Sequence, residues 1–375
     1  MKPLEGIRVV ELARILAGPW CGQLLADLGA EVIKVERPGA GDDTRHWGPP
    51  FLHDADGRNL DAAYFHSANR GKASRFVDIT TSEGQAEVRA LVADADVVLE
   101  NYKVGGLAKY GLDHARLLDV NPRLITCSIT GFGQTGPYAP RAGYDFIIQA
   151  MGGFMSLTGE PDGPPQKAGI AYADIFTGVY SAVAILAALR RRDVEGVGAH
   201  IDMALLDTQV AVLANQALNW MADPAKVPGR MGNGHANLVP YQAFAAADGE
   251  LIIAVGNDGQ FRRLCAVLGL DLADDARFAT NPARVTHRAT LIPLIEVAVA
   301  HWLKADLANA LDAQGIPAGP INRIDEAFAD PQVIARGMRV AIDGLPGVAS
   351  PIVIDGERMV ADRASPARPT GTATD

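Results

Sequence analysis

The chain has 375 residues, 48% of them hydrophobic and 21% charged, with a formal net charge of −10. That length points to two domains or one large domain with a lobe, and the acidic balance argues against a nucleic-acid or anionic-membrane partner, either of which wants a basic face. No apolar run approaches the roughly 18 residues of a bilayer span, MKPLEGIRVVEL lacks the features of a secretory leader, and Cys21, Cys127 and Cys265 fit reduced, buried thiols in the cytoplasm with no metal-ligand spacing.

In chain order, the first 130 or so residues alternate strand-like and helical patterns, the signal for βαβ units and a parallel sheet. Strands are expected at Ile7–Leu12, Glu31–Glu36, Arg75–Ile79, Val97–Glu100 and Leu124–Ile129, with helices near Trp20–Leu28, Ser82–Ala93 and Asp113–Asp119. A Gly- and Pro-rich stretch from Met151 to Gly169 leads into a long apolar helix from about Asp174 to Arg192, and a further helical stretch, Met203–Ala222, ends in a segment through Gly234 that reads as a linker. Tyr241–Val255 carries a hairpin signal at Asp248-Gly249, followed by helical stretches near Gln260–Leu268 and Thr290–Gln314; the last 25 or so residues read as a loose tail. The whole is an α/β chain: a doubly wound large domain followed by a smaller α+β domain.

Glu36 closes the second strand where a dinucleotide-binding protein places its ribose-binding acid, but the first turn, ARILAGPW, has Gly18 as its only glycine, so the pyrophosphate fingerprint is missing. Arg37, Lys72, Arg75, Lys103, Lys109 and Arg141 fall near expected strand ends, where cations can hold phosphates, though each taken singly reads as a solvated charge. Arg190, Arg191 and Arg192 close a long helix and suit its dipole. Asp174, at the mouth of GIAYADIFTGVYSAVAILAAL, supports two readings equally: a helix N-cap, or a carboxylate that has lost hydration in an apolar pocket and serves as a nucleophile. The sequence contains no GxSxG, Walker or HExxH motif, and its eight histidines are scattered; His200, His287 and His301 read as packing residues.

Several motifs together resemble CoA-transferase family III, a group that includes formyl-CoA and carnitine-type CoA-transferases and the α-methylacyl-CoA racemases. They are PLEGIRVVELARILAGPWCGQLLADLGAEVIKVERPGAGDDTR, DVVLENYKVGGLAKYGL, NPRLITCSITGFGQTGPYA, AGYDFIIQAMGGFMSLTGEPDGPPQKAG, GNGHANLVPYQAF, AVGNDGQFRRLC, RFATNPARVTHR and GIPAGPIN, spanning about residues 3–340. The resemblance implies Asp174 as the nucleophile. It implies CoA contacts at Ala17, Arg37, Val77, Asp78, Thr80, Asn101, Tyr102, Lys103, Lys109 (where relatives often carry Arg), Arg141, Tyr144 and Asp145. Substrate-acid contacts are implied at Leu16, Gly232, Gly234 and His235, with Arg230 able to help, and Gly152-Gly153 and Gly232–Gly234 as candidate lid or acceptor loops.

The resemblance further implies a Rossmann-like large domain over 1–200, a linker over 201–235, a small α+β domain over 236–324 and a segment 325–375 returning to the large domain, all in an interlocked homodimer. The usual family ending is absent from ASPARPTGTATD. The implied chemistry moves CoA from an acyl-CoA donor to a carboxylic acid, by the family's habits a small dicarboxylate, through an aspartyl mixed anhydride and an aspartyl-CoA thioester. It needs no metal, and no cofactor is bound permanently, since coenzyme A and acyl-CoA are substrates. The racemase branch is the nearest alternative. It reads AGHD where this chain has AGYD, placing Tyr144 where a basic histidine would stand, and a phenol is a poor general base at neutral pH; the racemase glutamate is replaced by Asn257 or Asp258. A non-catalytic acyl-CoA-binding protein would lack the nucleophile.

Overall fold

The computed structural model describes residues 2–54 and 56–368, which divide into two compact units. The first comprises the described residues through Phe154, Ala168–Leu213 and those from Pro331 on; the second comprises Met155–Lys167 and Ala214–Asp330. The first unit runs β1 (Arg8–Glu11), α1 (Ala17–Asp27), β2 (Glu31–Glu36), β3 (Phe51–His53), β4 (Asn59–Ala62), α2 (Ala63–His66), β5 (Lys72–Phe76), α3 (Ser82–Ala93), β6 (Val97–Glu100), α4 (His114–Val120), β7 (Ile125–Thr130), α5 (Asp145–Met151), α6 (Phe154–Leu157, continuing into the second unit), α7 (Tyr172–Glu195), β8 (Ala199–Ala204) and α8 (Leu205–Ala211).

Six strands form one sheet in the order β5-β2-β1-β6-β7-β8, every pairing parallel. Successive side chains on a strand face opposite ways, and both faces here are apolar. Val9, Val97, Leu99 and Cys127 join the core made with Cys21 and Leu25 of α1 and Ile185 and Leu189 of α7. Val10 and Val98 join the opposite core, with Val88 and Val92 of α3 and Leu117 of α4. This two-sided burial is why these strands read as continuous hydrophobic runs. Helices α1 and α7 meet closely because Gly178 leaves room: a Cβ there would lie 2.7 Å from the Ala17 carbonyl oxygen.

The longer segment of the second unit begins with α9 (Ala214–Ala222), and the sheet of that unit has the order β11-β10-β9, with β9 (Tyr241–Ala246), β10 (Gly249–Ala254) and β11 (Ala318–Pro320) antiparallel. Phe244, Leu251 and Ile253 of that sheet pack with Phe261 and Leu264 of α10 (Asp258–Leu268), Leu291 and Ile295 of α12 (Arg288–Val299) and Leu307 of α13 (Lys304–Asp312), and α11 (Asn281–Thr286) precedes α12.

Several expectations need correction. Met203 lies in strand β8 rather than starting a helix, so the stretch 201–235 read as a linker contains the end of a sheet strand and two helices. The hairpin turns at Ala247-Asp248, one residue before the Asp-Gly signal. Helix Thr290–Gln314 is two helices, α12 and α13, broken at 300–303. The β3–β4 hairpin was not foreseen. Helix α7 is long and apolar enough, by length and composition, to cross a bilayer; Thr, Gly, Tyr and Ser interrupt its apolar run, which hid it from a search for uninterrupted stretches. Its Ala173, Thr177, Ser181, Ile185 and Leu189 are buried in this unit. Of the expected loose tail, residues 369–375 lie outside the described residues, but the part before them is tied down. Met359 and Ala361 are buried, the Ala361 N–H donates to Asp27 Oδ1 at 2.8 Å, and the Gly71 N–H donates to the Arg363 carbonyl at 2.9 Å.

Candidate active site

Strand order reverses between β1 and β6, so the loops leaving their carboxyl ends diverge, and ligands of open parallel sheets bind at such a point. A cleft of about 410 Å³ lies there, walled by Arg14–Ala17 after β1, Asn101–Val104 after β6, Thr130-Gly131 after β7, Arg141–Tyr144, and Asp174 in the first turn of α7. Its charged lining is Arg14, Lys103, Lys109 and Arg141 against Asp174, a basic pocket in an acidic chain. Lys109 rests over the Tyr110 ring at 4.6 Å and Arg141 over Tyr138 at 4.5 Å, and neither forms an ion pair among the described residues. Cations held on aromatic faces remain available to an anionic ligand.

The helix-cap reading of Asp174 fails. Ala171 is the N-cap of α7 and makes no side-chain cap bond. The orphan N–H groups are satisfied instead from α5: Asp145 Oδ1 accepts from the Ala173 N–H at 2.8 Å and the Asp174 N–H at 3.3 Å. Asp145 Oδ2 accepts from the buried Gln149 at 2.6 Å, and Gln149 Oε1 accepts from the Ala168 N–H at 2.8 Å. The Asp174 carboxylate is left with no hydrogen-bond or ion-pair partner among the described residues. Burial, and then the like charge of Asp145, push it up to about 7. A half-buried carboxylate with free lone pairs beside a cationic cleft is a chemically competent nucleophile.

The structure therefore gathers Leu16, Ala17, Asn101, Tyr102, Lys103, Lys109, Arg141 and Tyr144 around Asp174. Other expected contacts have surroundings of their own. Asp145 supports Asp174 from behind; Arg37 is exposed and pairs with Asp43 at 3.5 Å; Val77 is buried in the α3–α4 core. Asp78 is exposed and accepts from the Thr80 N–H at 2.9 Å and its hydroxyl at 2.6 Å. The Asn101 side chain is committed to the chain itself, accepting from the Arg14 N–H at 2.8 Å and donating to the Arg14 carbonyl at 2.6 Å. Gly232, Gly234, His235 and Arg230 belong to the second unit, where His235 Nδ1 accepts from the N–H groups of Asn237 and Leu238 and Arg230 donates to the Glu160 carbonyl. Gly152, considered for a lid, packs α5 on α8: a Cβ there would collide with the Gln209 side chain.

Lys72, considered as a phosphate holder, is wholly buried and bonded to Glu11 and Asn69. Sequence reasoning missed Arg14, in the cleft wall, and Tyr64 of α2, whose phenol is pushed up to about 12 by burial and then by the charges of Asp174, Asp145 and Asp42. Arg14, two residues beyond the expected end of the first strand, fits the strand-end charge pattern and could have been singled out by it, whereas Tyr64 carries no such signal.

The description CoA-transferase family III matches residues 4–371. The chain belongs to this family. It is 60% identical, over 97% of its length and 92% of the relative's, to a succinate–glutarate CoA-transferase of Agrobacterium fabrum, and 45% identical to a mouse succinyl-CoA:glutarate CoA-transferase, covering 90% and 76% of the two chains. A crystal structure of a CAIB/BAIF family protein from Brucella suis superimposes with a TM-score of 0.87 at 58% identity, covering 97% of this chain and 96% of that one. This family III chain is an enzyme of CoA transfer, and its parallel-sheet α/β fold is that of its structural neighbours.

Proposed function

We propose that the enzyme moves CoA from an acyl-CoA to a small dicarboxylate, with succinyl-CoA and glutarate the leading pair, through covalent intermediates on Asp174. The observation that carries this reading is the Asp174 carboxylate, freed from capping by Asp145 and unpartnered in the cationic cleft. A carboxylate oxygen attacks the thioester carbonyl and the C–S bond breaks, leaving a mixed anhydride and CoA thiolate. The thiolate attacks the aspartyl carbonyl, the anhydride C–O bond breaks and the donor acid departs. The acceptor carboxylate attacks the aspartyl-CoA thioester, and the expelled thiolate takes the acceptor's acyl group, restoring Asp174. Each step exchanges activated acyls of similar energy, so the cycle closes without a resident cofactor. Water must be excluded from both intermediates.

Support against racemase chemistry comes from the cleft, whose described lining contains no histidine. Asn257 caps α10, and Asp258 pairs with buried Arg284 at 2.8 Å. The strand order supports a Rossmann-like large domain, and the exposed apolar residues of α5 and α7, among them Phe146, Ile147, Val183 and Leu186, suit an interlocked homodimer. A cytoplasmic location fits free, buried cysteines.

The test is glutaryl-CoA formation from succinyl-CoA and glutarate, alongside acetyl-CoA, formyl-CoA and oxalate, with hydroxylamine added to trap the thioester. Mass spectrometry should find the hydroxamate on Asp174, and an active preparation without that adduct would defeat the covalent route. The pH profile gives a second check. Only ionised Asp174 attacks, so kcat/KM should climb with pH and level off above about 7; a plateau reached already at pH 5 would mean that the carboxyl is not held up.

A further inference from the structure

We propose that Arg14 is the residue that grips the non-reacting carboxylate of the dicarboxylate substrate and so selects diacids over monoacids, an inference that rests on the dicarboxylate reading above. Arg14 lines the same cleft as Asp174. Its Nε is buried without a hydrogen-bond partner, an unmet donor of the kind that needs an explanation in a packed structure. The guanidinium has one ion pair, Nη1 to Asp43 at 3.1 Å, between two side chains that are each more than a third exposed. Such a pair is weak and gives way readily to a better-placed anion.

The backbone that carries Arg14 is held unusually firmly. Asn101 clamps both its N–H and its carbonyl. The next residue, Ile15, adopts a φ of 72°, a conformation that β-branched residues avoid. That strain is sustained because the Ile15 N–H donates to both oxygens of Asp42, at 3.4 and 3.3 Å. Asp42 is anchored in turn by buried Lys34 at 2.9 Å. A strained turn fixed from two sides holds the base of a planar, forked cation in the wall of the cleft that Asp174 also lines. A carboxylate is the planar anion that matches such a fork two-pronged; Arg14 lies 5.5 Å from the centre of the Tyr102 ring, and Lys103, Lys109 and Arg141, unpaired around the same cleft, remain for the phosphates of CoA.

One carboxyl on Arg14 and the other at Asp174 would make the enzyme a ruler for chain length. The experiment compares wild type with Arg14→Lys and Arg14→Gln, using succinyl-CoA as donor and diacids of two to six carbons and the matching monoacids as acceptors. Wild-type turnover of diacids verifies the underlying reading by itself, so its failure is separate from failure of the Arg14 role. The expected result is a 10- to 100-fold rise in KM for the preferred diacid (roughly the loss of one charge-assisted pair), a flattened chain-length optimum, a much smaller change with monoacids, and retained affinity for CoA itself. Loss of CoA affinity with the diacid preference intact would place Arg14 on a phosphate and overturn the proposal. Equal losses for diacids and monoacids, or no change in either, would do the same.

Discussion

Replacing Asp174 with asparagine is expected to cut CoA transfer by at least ~10³-fold in kcat, the usual scale for removing a nucleophile, while making the first unit more stable at pH 8 by about 1–2 kcal/mol. Both effects have one origin. Asp174 titrates at about 7 in the folded chain against an ordinary 3.8, so the folded state binds its proton more tightly. Below about pH 4 both states are protonated and the group costs nothing. As pH rises toward 7 the unfolded chain ionises first, and the cost of holding an unpaired carboxylate reaches its full value above 7. Asparagine keeps the shape and removes the charge. The melting temperatures of variant and wild type should therefore coincide near pH 4 and separate by pH 8, the variant higher. The stability figure is kept small because Asp174 retains contact with the solvent of the cleft. Coincident melting curves at every pH would mean that the site stores no such strain.

Much of this fold was readable in the chain because its governing pattern is local. The runs at Val97–Glu100 and Glu31–Glu36 set buried apolar residues on both faces, as interior parallel strands do, with Lys34 and Glu36 as buried charges in the second, and both were placed to the residue. Helix α7 was anticipated within three residues at either end. What stayed hidden depended on distant partners. Met203 looked helical because its own stretch is; pairing with Ile129 makes it a strand. Residues near the C-terminus looked loose because small and polar residues dominate there, yet the main chain at Ala361 has Asp27 as its partner across the sequence. Asp174 was suspected, but its freedom from capping was not deducible, since the group that relieves it, Asp145, lies on another helix. Asn101 lines the cleft, while its commitment to Arg14 needed two loops to be seen together.

Arg45→Leu is expected to be the most destabilising single change in the first unit, by about 3–5 kcal/mol. The side chain is fully buried and stacks 3.7 Å over Phe65. Its Nε and Nη2 donate to the two oxygens of Glu36 at 2.8 and 2.7 Å, Nη1 donates to Asp61 at 2.6 Å, and Nη2 also reaches the Pro366 carbonyl at 3.1 Å. Leucine offers none of these bonds. Asp61 would keep Arg368 at 2.6 Å, but Glu36, itself nearly inaccessible, would retain only neutral donors, the Ser74 hydroxyl and the Asp42 N–H. The pH dependence makes the cause visible. Burial works against the Glu36 carboxylate, but the bonds and charge of Arg45, with the charge of Lys34 and the Ser74 hydroxyl adding to them, outweigh it and hold the group below its ordinary 4.5. Its contribution is thus present above 4.5 and lost as pH falls through the lowered value. Without Arg45 only the charge of Lys34 and the Ser74 hydroxyl oppose burial, so the carboxyl is held higher than in the wild type, and the variant should recover more stability as pH is lowered from neutral toward 5, beyond the gain at Asp174 that both proteins share. Denaturant unfolding at pH 5 and pH 7.5, followed by tryptophan fluorescence, would show the gap between the two proteins narrowing on acidification. A gap independent of pH would assign the loss to packing on Phe65 rather than to the stranded charge.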